Sequence, residues 1–149
     1  MSQGRSARLA LFVLLPLFGG CAPEPEPPSD PELREALALD DATPIHRIDL
    51  SGRGAENRIL PPRTEIRQGD VVQFVVLDRR VHHVRFLTDS LSAPAVRFLE
   101  RTRQLASPPL ANRGDRYVLS FADAPPGTYP FVVEGHGEAT PGWIHVDGR

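Results

Sequence analysis

Histidine and acidic side chains are the residues of this sequence that could hold a metal ion. The chain has 149 residues and five histidines, which are His46, His82, His83, His136 and His145. Imidazole nitrogens bind Cu(II) or Zn(II), and a tight site needs a third or fourth ligand. Glu134 and Glu138 flank His136 and are candidate ligands, while Gly135 and Gly137 beside it indicate a flexible turn.

Sulfur ligands are missing from the part of the chain that contains the histidines. The sequence has one cysteine, Cys21, and one methionine, Met1. No disulfide can form within the chain, so packing alone must hold the fold together. A metal site in the folded part would therefore have to use nitrogen and oxygen ligands.

The sequence carries no signature of catalysis or of nucleic-acid binding. Ser92, Ser107 and Ser120 lack the local pattern of an activated nucleophile, and no Walker or dinucleotide glycine pattern occurs. The formal net charge is −2, whereas phosphate binding needs a basic stripe. We therefore expect the protein to be neither an enzyme nor a nucleic-acid-binding protein.

Residues 1–20 have the layout of a secretory signal peptide. Arg5 and Arg8 give a positive start, and Leu9–Phe18 is an apolar run of about ten residues, too short to span a bilayer as a helix. The run Leu17-Phe18-Gly19-Gly20-Cys21 resembles a bacterial lipobox. This resemblance implies cleavage before Cys21 and lipidation of Cys21, with an ordinary cleaved signal as the alternative.

Residues 21–42 are predicted to be a Pro-rich, acidic tether that joins the anchor to a folded domain of residues 43–149. The prolines between Ala22 and Pro31 favour a semi-rigid polyproline spacer, although Pro31–Leu39 could form a short helix. Ala22 is not the aspartate that commonly retains such lipoproteins in the inner membrane. We therefore expect a lipid-anchored, periplasm-facing protein of the bacterial cell envelope, at the outer membrane, with the membrane as a partner.

The segment that begins at Thr43 has the pattern of an all-β domain. About seven short runs rich in β-branched and aromatic residues are separated by turn residues, which indicates an antiparallel β-sandwich. Gly52–Pro62 is rich in turn formers and is expected to be a loop. Pro94–Leu105 has apolar residues at helical spacing, so one short inserted helix is predicted there. The strand-like runs are Ile45–Leu50, Glu65–Asp70, Val71–Leu77, Val84–Leu87, Tyr117–Phe121, Thr128–Val133 and Trp143–Val146.

Two segments of this domain resemble the cupredoxins, the blue-copper family of plastocyanin and azurin. In the first segment, a Gly69-Asp70 turn begins a strand, and His82 stands just before the next strand. In the second, Pro126–Phe131 is similar to the strand that leads into the C-terminal copper loop, and Gly142–Val146 matches the last turn and strand. The resemblance implies an antiparallel Greek-key β-sandwich with one short inserted helix.

The same resemblance assigns ligand positions and reveals two departures from the family. His82 falls at the position of the first copper-ligand histidine, and His136 matches the histidine of the copper loop. Val133, however, stands where the family has its cysteine, and Pro141 stands roughly where it has its axial methionine. Because a blue-copper centre needs a thiolate ligand, we expect no blue absorption and poor electron transfer.

Two hypotheses remain open for the pair His82 and His136. In the first, the imidazoles bind copper weakly in a non-blue site, assisted by Glu134 or Glu138, and a periplasmic or membrane redox protein is the partner. In the second, the histidines are hydrogen-bonded relics, and the domain is a metal-free, membrane-tethered protein-binding module. The missing thiolate favours the second hypothesis, and the retained histidine pair favours the first.

Overall fold

The computed structural model describes residues 30–148, which form a sandwich of two four-stranded β-sheets. The strands are β1 (Ile45–Arg53), β2 (Glu56–Leu60), β3 (Arg63–Arg67), β4 (Val71–Val76), β5 (His83–Phe86), β6 (Arg116–Ser120), β7 (Gly127–Glu134) and β8 (Thr140–Asp147). Two α-helices, α1 (Pro31–Ala36) and α2 (Ala93–Arg101), and a 3-10 helix (Thr88–Ser90) complete the described part. The predicted all-β sandwich with a short inserted helix is confirmed.

Each sheet contains one parallel pair of strands, which corrects the expectation of antiparallel pairing throughout. Sheet A has the strand order β2-β1-β4-β6, and sheet B has the order β3-β8-β7-β5. β1 runs parallel to β4 and β3 runs parallel to β8, while the remaining neighbours are antiparallel. The parallel pairing arises because the chain leaves sheet A after β2, adds β3 to sheet B and then returns to sheet A as β4. The Greek-key topology stays a prediction.

The segment expected to be a loop, Gly52–Pro62, contains β2 instead. Gly54, with a φ of +60°, makes the tight turn between β1 and β2, a conformation that favours glycine. Along β2, the side chains of Asn57 and Ile59 are buried and their neighbours are exposed. The turn residues at both ends of this short strand concealed it in the sequence.

The core between the sheets is rich in aromatic side chains. Phe74, Phe86, Phe121, Tyr129 and Phe131 are almost fully enclosed and meet edge to face, with ring centroids 5.1 to 6.4 Å apart. Aromatic pairs in this geometry contribute about 0.5–1.5 kcal/mol each beyond their buried area. This core fixes the two sheets relative to each other and therefore fixes the strand ends that carry the loops.

The inserted helix α2 lies between β5 and β6 and ends at Arg101, earlier than the predicted end at Leu105. Ser92 caps its first turn, and Pro94 lies in that turn, where a proline is tolerated because no N–H is needed. Arg103 follows the last turn in a left-handed conformation, with a φ of +57°, and this reversal terminates the helix.

The last part of the predicted tether contacts the domain. Asp30 caps α1 by accepting the N–H of Leu33 at 3.0 Å, and it also forms an ion pair with Arg116 on β6. The side chain of Leu33 is buried. Residues 30–36 therefore belong to the folded part of the chain. Cys21, the signal peptide and the rest of the Pro-rich segment lie outside the described residues. No helix within residues 30–148 is long and apolar enough to cross a membrane.

Four loops meet at one end of the sandwich, which we call the loop end. A Nη1 atom of Arg80 donates to the carbonyl of Gly54 at 2.7 Å, and the N–H of Gly114 donates to the carbonyl of Val76 at 2.8 Å. His82 and His136 both lie in these loops. The four loops are residues 54–55, 77–82, 111–115 and 135–139.

Candidate metal site

His82 is fully enclosed by the protein. It directly precedes β5, and its side chain has no exposure to solvent. Its main-chain N–H and carbonyl both bond to Leu110 at 2.8 Å. Its ring Nε2 lies 2.8 Å from Oδ1 of Asp78. The ring is therefore held through both the backbone and the side chain.

Asp78 determines which ring nitrogen of His82 carries the proton. Burial acts to raise the pKa of Asp78, but hydrogen bonds from the Arg80 N–H and from His82 outweigh this effect and hold the pKa below its ordinary value. Because an ionised carboxylate only accepts hydrogen bonds, we assign the proton to Nε2. In the neutral ring Nδ1 then carries the lone pair, and this atom is buried without a hydrogen-bond partner among the described residues.

His136 is exposed and is held between two tightly packed glycines. A Cβ atom on Gly135 would lie 2.4 Å from the carbonyl oxygen of Val81. A Cβ atom on Gly137, whose φ is +93°, would lie 1.8 Å from the carbonyl oxygen of Ala55. The turn that was expected to be flexible therefore rests against two neighbouring loops.

These contacts bring together the two chain segments that carry the histidines. Val81 precedes His82, Gly135 precedes His136, and the backbones of Val81 and Gly135 approach so closely that no side chain fits between them. The register of β5 and β7 leads to the same conclusion. His83 lies opposite Glu134, so extending the register by one residue sets His82 opposite Gly135.

Glu134 points to the other face of sheet B from the ring of His82. Arg85 donates a hydrogen bond of 2.6 Å to its carboxylate, and His83 Nδ1 lies 3.6 Å from the other carboxylate oxygen. The hydrogen bond from Arg85 lowers the pKa of Glu134 below its ordinary value. Because neighbouring residues of a strand point to opposite faces, His83 and Glu134 share the outer face while His82 is buried inside.

Glu138, the second predicted carboxylate ligand, has an exposed side chain. Its main-chain carbonyl accepts a hydrogen bond of 2.9 Å from Nδ2 of Asn57. Among residues 30–148, no group of three or more His, Cys, Asp or Glu side chains is arranged to hold a metal ion. The structure thus places the segments of His82 and His136 in contact, but it does not gather the full predicted ligand set.

The resemblance in the sequence aligns Val133 with the thiolate ligand of the cupredoxins. The side chain is fully buried and belongs to the hydrophobic core, and the residue pairs with Val84 on β5 and with Thr140 on β8. Pro141, which stands roughly where the axial methionine is expected, is exposed. The donor set of a blue-copper centre is therefore incompatible with this end of the domain.

The other two histidines have their own partners away from this pair. Nε2 of His46 lies 2.8 Å from the carboxylate of Asp70, which also accepts the N–H of Arg67 at 2.9 Å. Nδ1 of His145 lies 3.0 Å from the hydroxyl of Thr128 on the solvent-facing side of sheet B.

Asp78 and Asn57 contribute to the site, and the sequence did not identify either of them. Asp78 stands in an Asp-Arg-Arg turn. A carboxylate four residues before a histidine can reach its ring only when the intervening chain folds back on itself, and the sequence does not show that this happens here. Asn57 lies in the segment that was expected to be a loop. No local pattern indicates that its side chain reaches Glu138, which is 81 residues away in the sequence.

No family model and no curated protein matches this sequence. Solved structures do match it. An oxidized plastocyanin from Dryopteris crassirhizoma has a TM-score of 0.52 and 13% identity, covering 68% of this chain and 99% of that chain. A purple cupredoxin from Nitrosopumilus maritimus has a TM-score of 0.49 and 20% identity, with coverage of 68% and 99%. A reduced Cu(I) form of an amicyanin mutant has a TM-score of 0.49 and 19% identity, with coverage of 75% and 89%.

The fold of this chain is cupredoxin-like, as the resemblance in the sequence implied. The plastocyanin match carries this conclusion, together with the two sheets and the position of the loops at one end. At such low identity the likeness concerns the fold alone, and function has to be argued from the site.

Proposed function

We propose that this chain is a lipid-anchored, periplasm-facing protein of the bacterial cell envelope whose cupredoxin-like domain binds copper weakly in a non-blue site. One observation carries the metal proposal. Asp78 holds Nε2 of His82, and Nδ1 presents a buried lone pair that has no partner among the described residues. A carboxylate on the far nitrogen is the usual support of a metal-ligating imidazole. A buried polar atom without a partner costs about 1–3 kcal/mol, and a bound cation would offset that cost.

His136 is the second ligand in this proposal. It lies on a loop that contacts the segment of His82, and its exposed side chain is accessible to an incoming ion. Glu138 is the better of the two predicted carboxylates, because Arg85 and His83 already engage Glu134. Since no thiolate belongs to the set, we propose neither blue absorption nor efficient electron transfer. We assign no catalytic activity to the domain.

Metal analysis of the purified Cys21→Ser protein tests the copper proposal. The protein is loaded with Cu(II) or Zn(II), freed of unbound metal and analysed for its metal content. His82→Asn and His136→Ala are each expected to weaken binding by about tenfold or more, as the loss of a ligand requires. His145→Ala is the matched control, because it removes an exposed histidine from another surface. Binding that survives His82→Asn and His136→Ala unchanged would overturn the proposal.

The second hypothesis, a metal-free binding module on a lipid tether, is favoured by the surroundings of Val133. A fully buried valine replaces the sulfur ligand, and one predicted carboxylate is held in an ion pair on the other face of the sheet. In this case the wild-type protein would take up no stoichiometric copper or zinc. The same metal analysis therefore decides between the two candidate functions.

A further inference from the structure

Asn57 connects the tip of the β1–β2 hairpin to the loop that carries His136. Its side chain is 5% exposed, and Nδ2 donates to the carbonyl of Glu138 at 2.9 Å. Its own carbonyl accepts a hydrogen bond of 3.1 Å from the hydroxyl of Thr140. Glu56, the residue before it, forms an isolated parallel bridge with Glu138. The outgoing half of the 135–139 loop and the first residue of β8 are therefore attached to the start of β2 by three separate interactions.

The incoming half of the same loop rests against the same side chain. Because Nδ2 donates to Glu138, the orientation of the amide is fixed, and Oδ1 lies 3.3 Å from the position of a Cβ on Gly135. Oδ1 is buried and has no hydrogen-bond partner among the described residues. Gly137 in turn packs on Ala55 at the hairpin tip. The amide of Asn57 therefore donates to the outgoing half of the loop around His136 and faces Gly135 in the incoming half.

We infer that Asn57 is a positioning residue, which sets the conformation of the 135–139 loop and thereby fixes His136 before any metal ion binds. The consequence for metal binding rests on the proposed function. A loop that has to become ordered on binding loses conformational entropy and lowers the affinity, whereas a preorganised loop avoids that cost. His136 therefore meets an incoming ion from a fixed position against the segment of His82.

We call the hydrogen bond from Asn57 to Glu138, together with the packing of the Asn57 amide against Gly135, the clamp. Variants of Asn57 distinguish the loss of this clamp from a general loss of core packing. Asn57→Leu keeps the size of the side chain and removes both polar atoms. Asn57→Asp keeps an acceptor oxygen and removes the donor to Glu138. Gln73→Leu is the matched control, because Gln73 is also a buried amide whose oxygen has no partner within residues 30–148, but it lies on β4, away from this loop.

Backbone 15N relaxation of the full chain tests the clamp without any metal. Amides of residues 135–139 are expected to have order parameters of about 0.85 in the wild type and below about 0.6 in both Asn57 variants. Gln73→Leu is expected to leave these values at the wild-type level. Order parameters that stay near the wild-type values in Asn57→Leu, or that fall equally in Gln73→Leu, would overturn the inference.

A double-mutant cycle tests the consequence for binding. Asn57→Leu is expected to lower the Cu(II) affinity by about 10- to 100-fold, as residues that position a ligand commonly do. In the His136→Ala background it is expected to have no further effect, since no ligand remains to be positioned. An equal loss in both backgrounds would contradict the inference. If the wild type binds no copper, the proposed function fails, and the relaxation experiment still decides the role of Asn57.

Discussion

At His82, a hydrogen bond to one ring nitrogen determines the chemistry of the other. Asp78 accepts from Nε2, and the same oxygen accepts the N–H of Arg80. This hydrogen bond explains how the polar ring of His82 can be fully enclosed, because the carboxylate of Asp78 satisfies Nε2. The imidazole is held through Asp78, and its Nδ1 is buried at the loop end without a hydrogen-bond partner among the described residues.

Asp78→Asn is expected to lower the free energy of unfolding by about 1.5–3 kcal/mol at neutral pH, as hydrogen bonds to charged groups typically contribute. Because the folded-state pKa of Asp78 is lowered, this contribution is fully present above its unfolded pKa, about 4. It is lost as the pH falls through the lowered folded-state pKa. Urea unfolding of both proteins across this acidic range measures the difference, and a difference that does not depend on pH would contradict the assignment.

Gly137→Ala and Gly114→Ala form a matched pair, because both glycines have a positive φ, +93° and +91°. A Cβ on Gly114 meets nothing within 4 Å, so that variant bears only the conformational cost, about 1 kcal/mol. A Cβ on Gly137 also collides with the backbone of Ala55. We expect Gly137→Ala to be less stable than Gly114→Ala by at least about 1 kcal/mol in thermal unfolding. Equal stabilities would show that the contact with Ala55 is not tight.

At the scale of elements, hydrophobic pattern predicted most strands, and turn residues misled the prediction where the strand was short. Val71–Val76 is apolar at every position except Gln73, and it forms a fully buried inner strand of sheet A, as this pattern indicates. β2 has only five residues between glycines and prolines, and its two buried positions gave too weak a period to detect. The sequence also did not reveal the parallel pairing of β1 with β4 and of β3 with β8. This pairing depends on which sheet the chain joins after β2.

Arg103→Gly is expected to stabilise the protein by about 1 kcal/mol. Arg103 has a φ of +57° immediately after α2, and glycine adopts this left-handed conformation at the end of a helix without the steric cost of a Cβ. Thermal unfolding measures the gain, and Arg97→Gly at an exposed position inside α2 is the control, which is expected to destabilise the protein by a similar amount. A destabilised Arg103→Gly protein would show that the guanidinium has an unrecognised structural contact.

For the whole molecule, the sequence predicted the sandwich and the common location of His82 and His136, but it could not predict the packing around them. The resemblance to cupredoxins depends on a few aligned residues. These residues indicate which loops follow which strands, and therefore which loops lie at the same end of the sandwich. The engagement of Glu134 by Arg85 and the clamp formed by Asn57 arise from contacts between distant segments. Such contacts leave no periodic signal in the sequence.

The anchor is tested on the intact chain. We expect the wild-type protein to incorporate labelled fatty acid in a bacterial host and to fractionate with membranes. Cys21→Ser is expected to lose the label and to leave the membrane fraction, because the acyl chains on Cys21 are the proposed membrane attachment. A Cys21→Ser protein that still carries fatty acid would contradict the proposed site of lipidation.

The most direct measurement of the central claim is a long-range 15N NMR spectrum of the His82 ring, recorded without metal and then with Zn(II). For the neutral ring the account predicts the proton on Nε2 and none on Nδ1, since the carboxylate of Asp78 selects this tautomer. It also predicts that Zn(II) shifts the Nδ1 resonance. A proton on Nδ1, or an Nδ1 signal that Zn(II) leaves unchanged, would contradict the account.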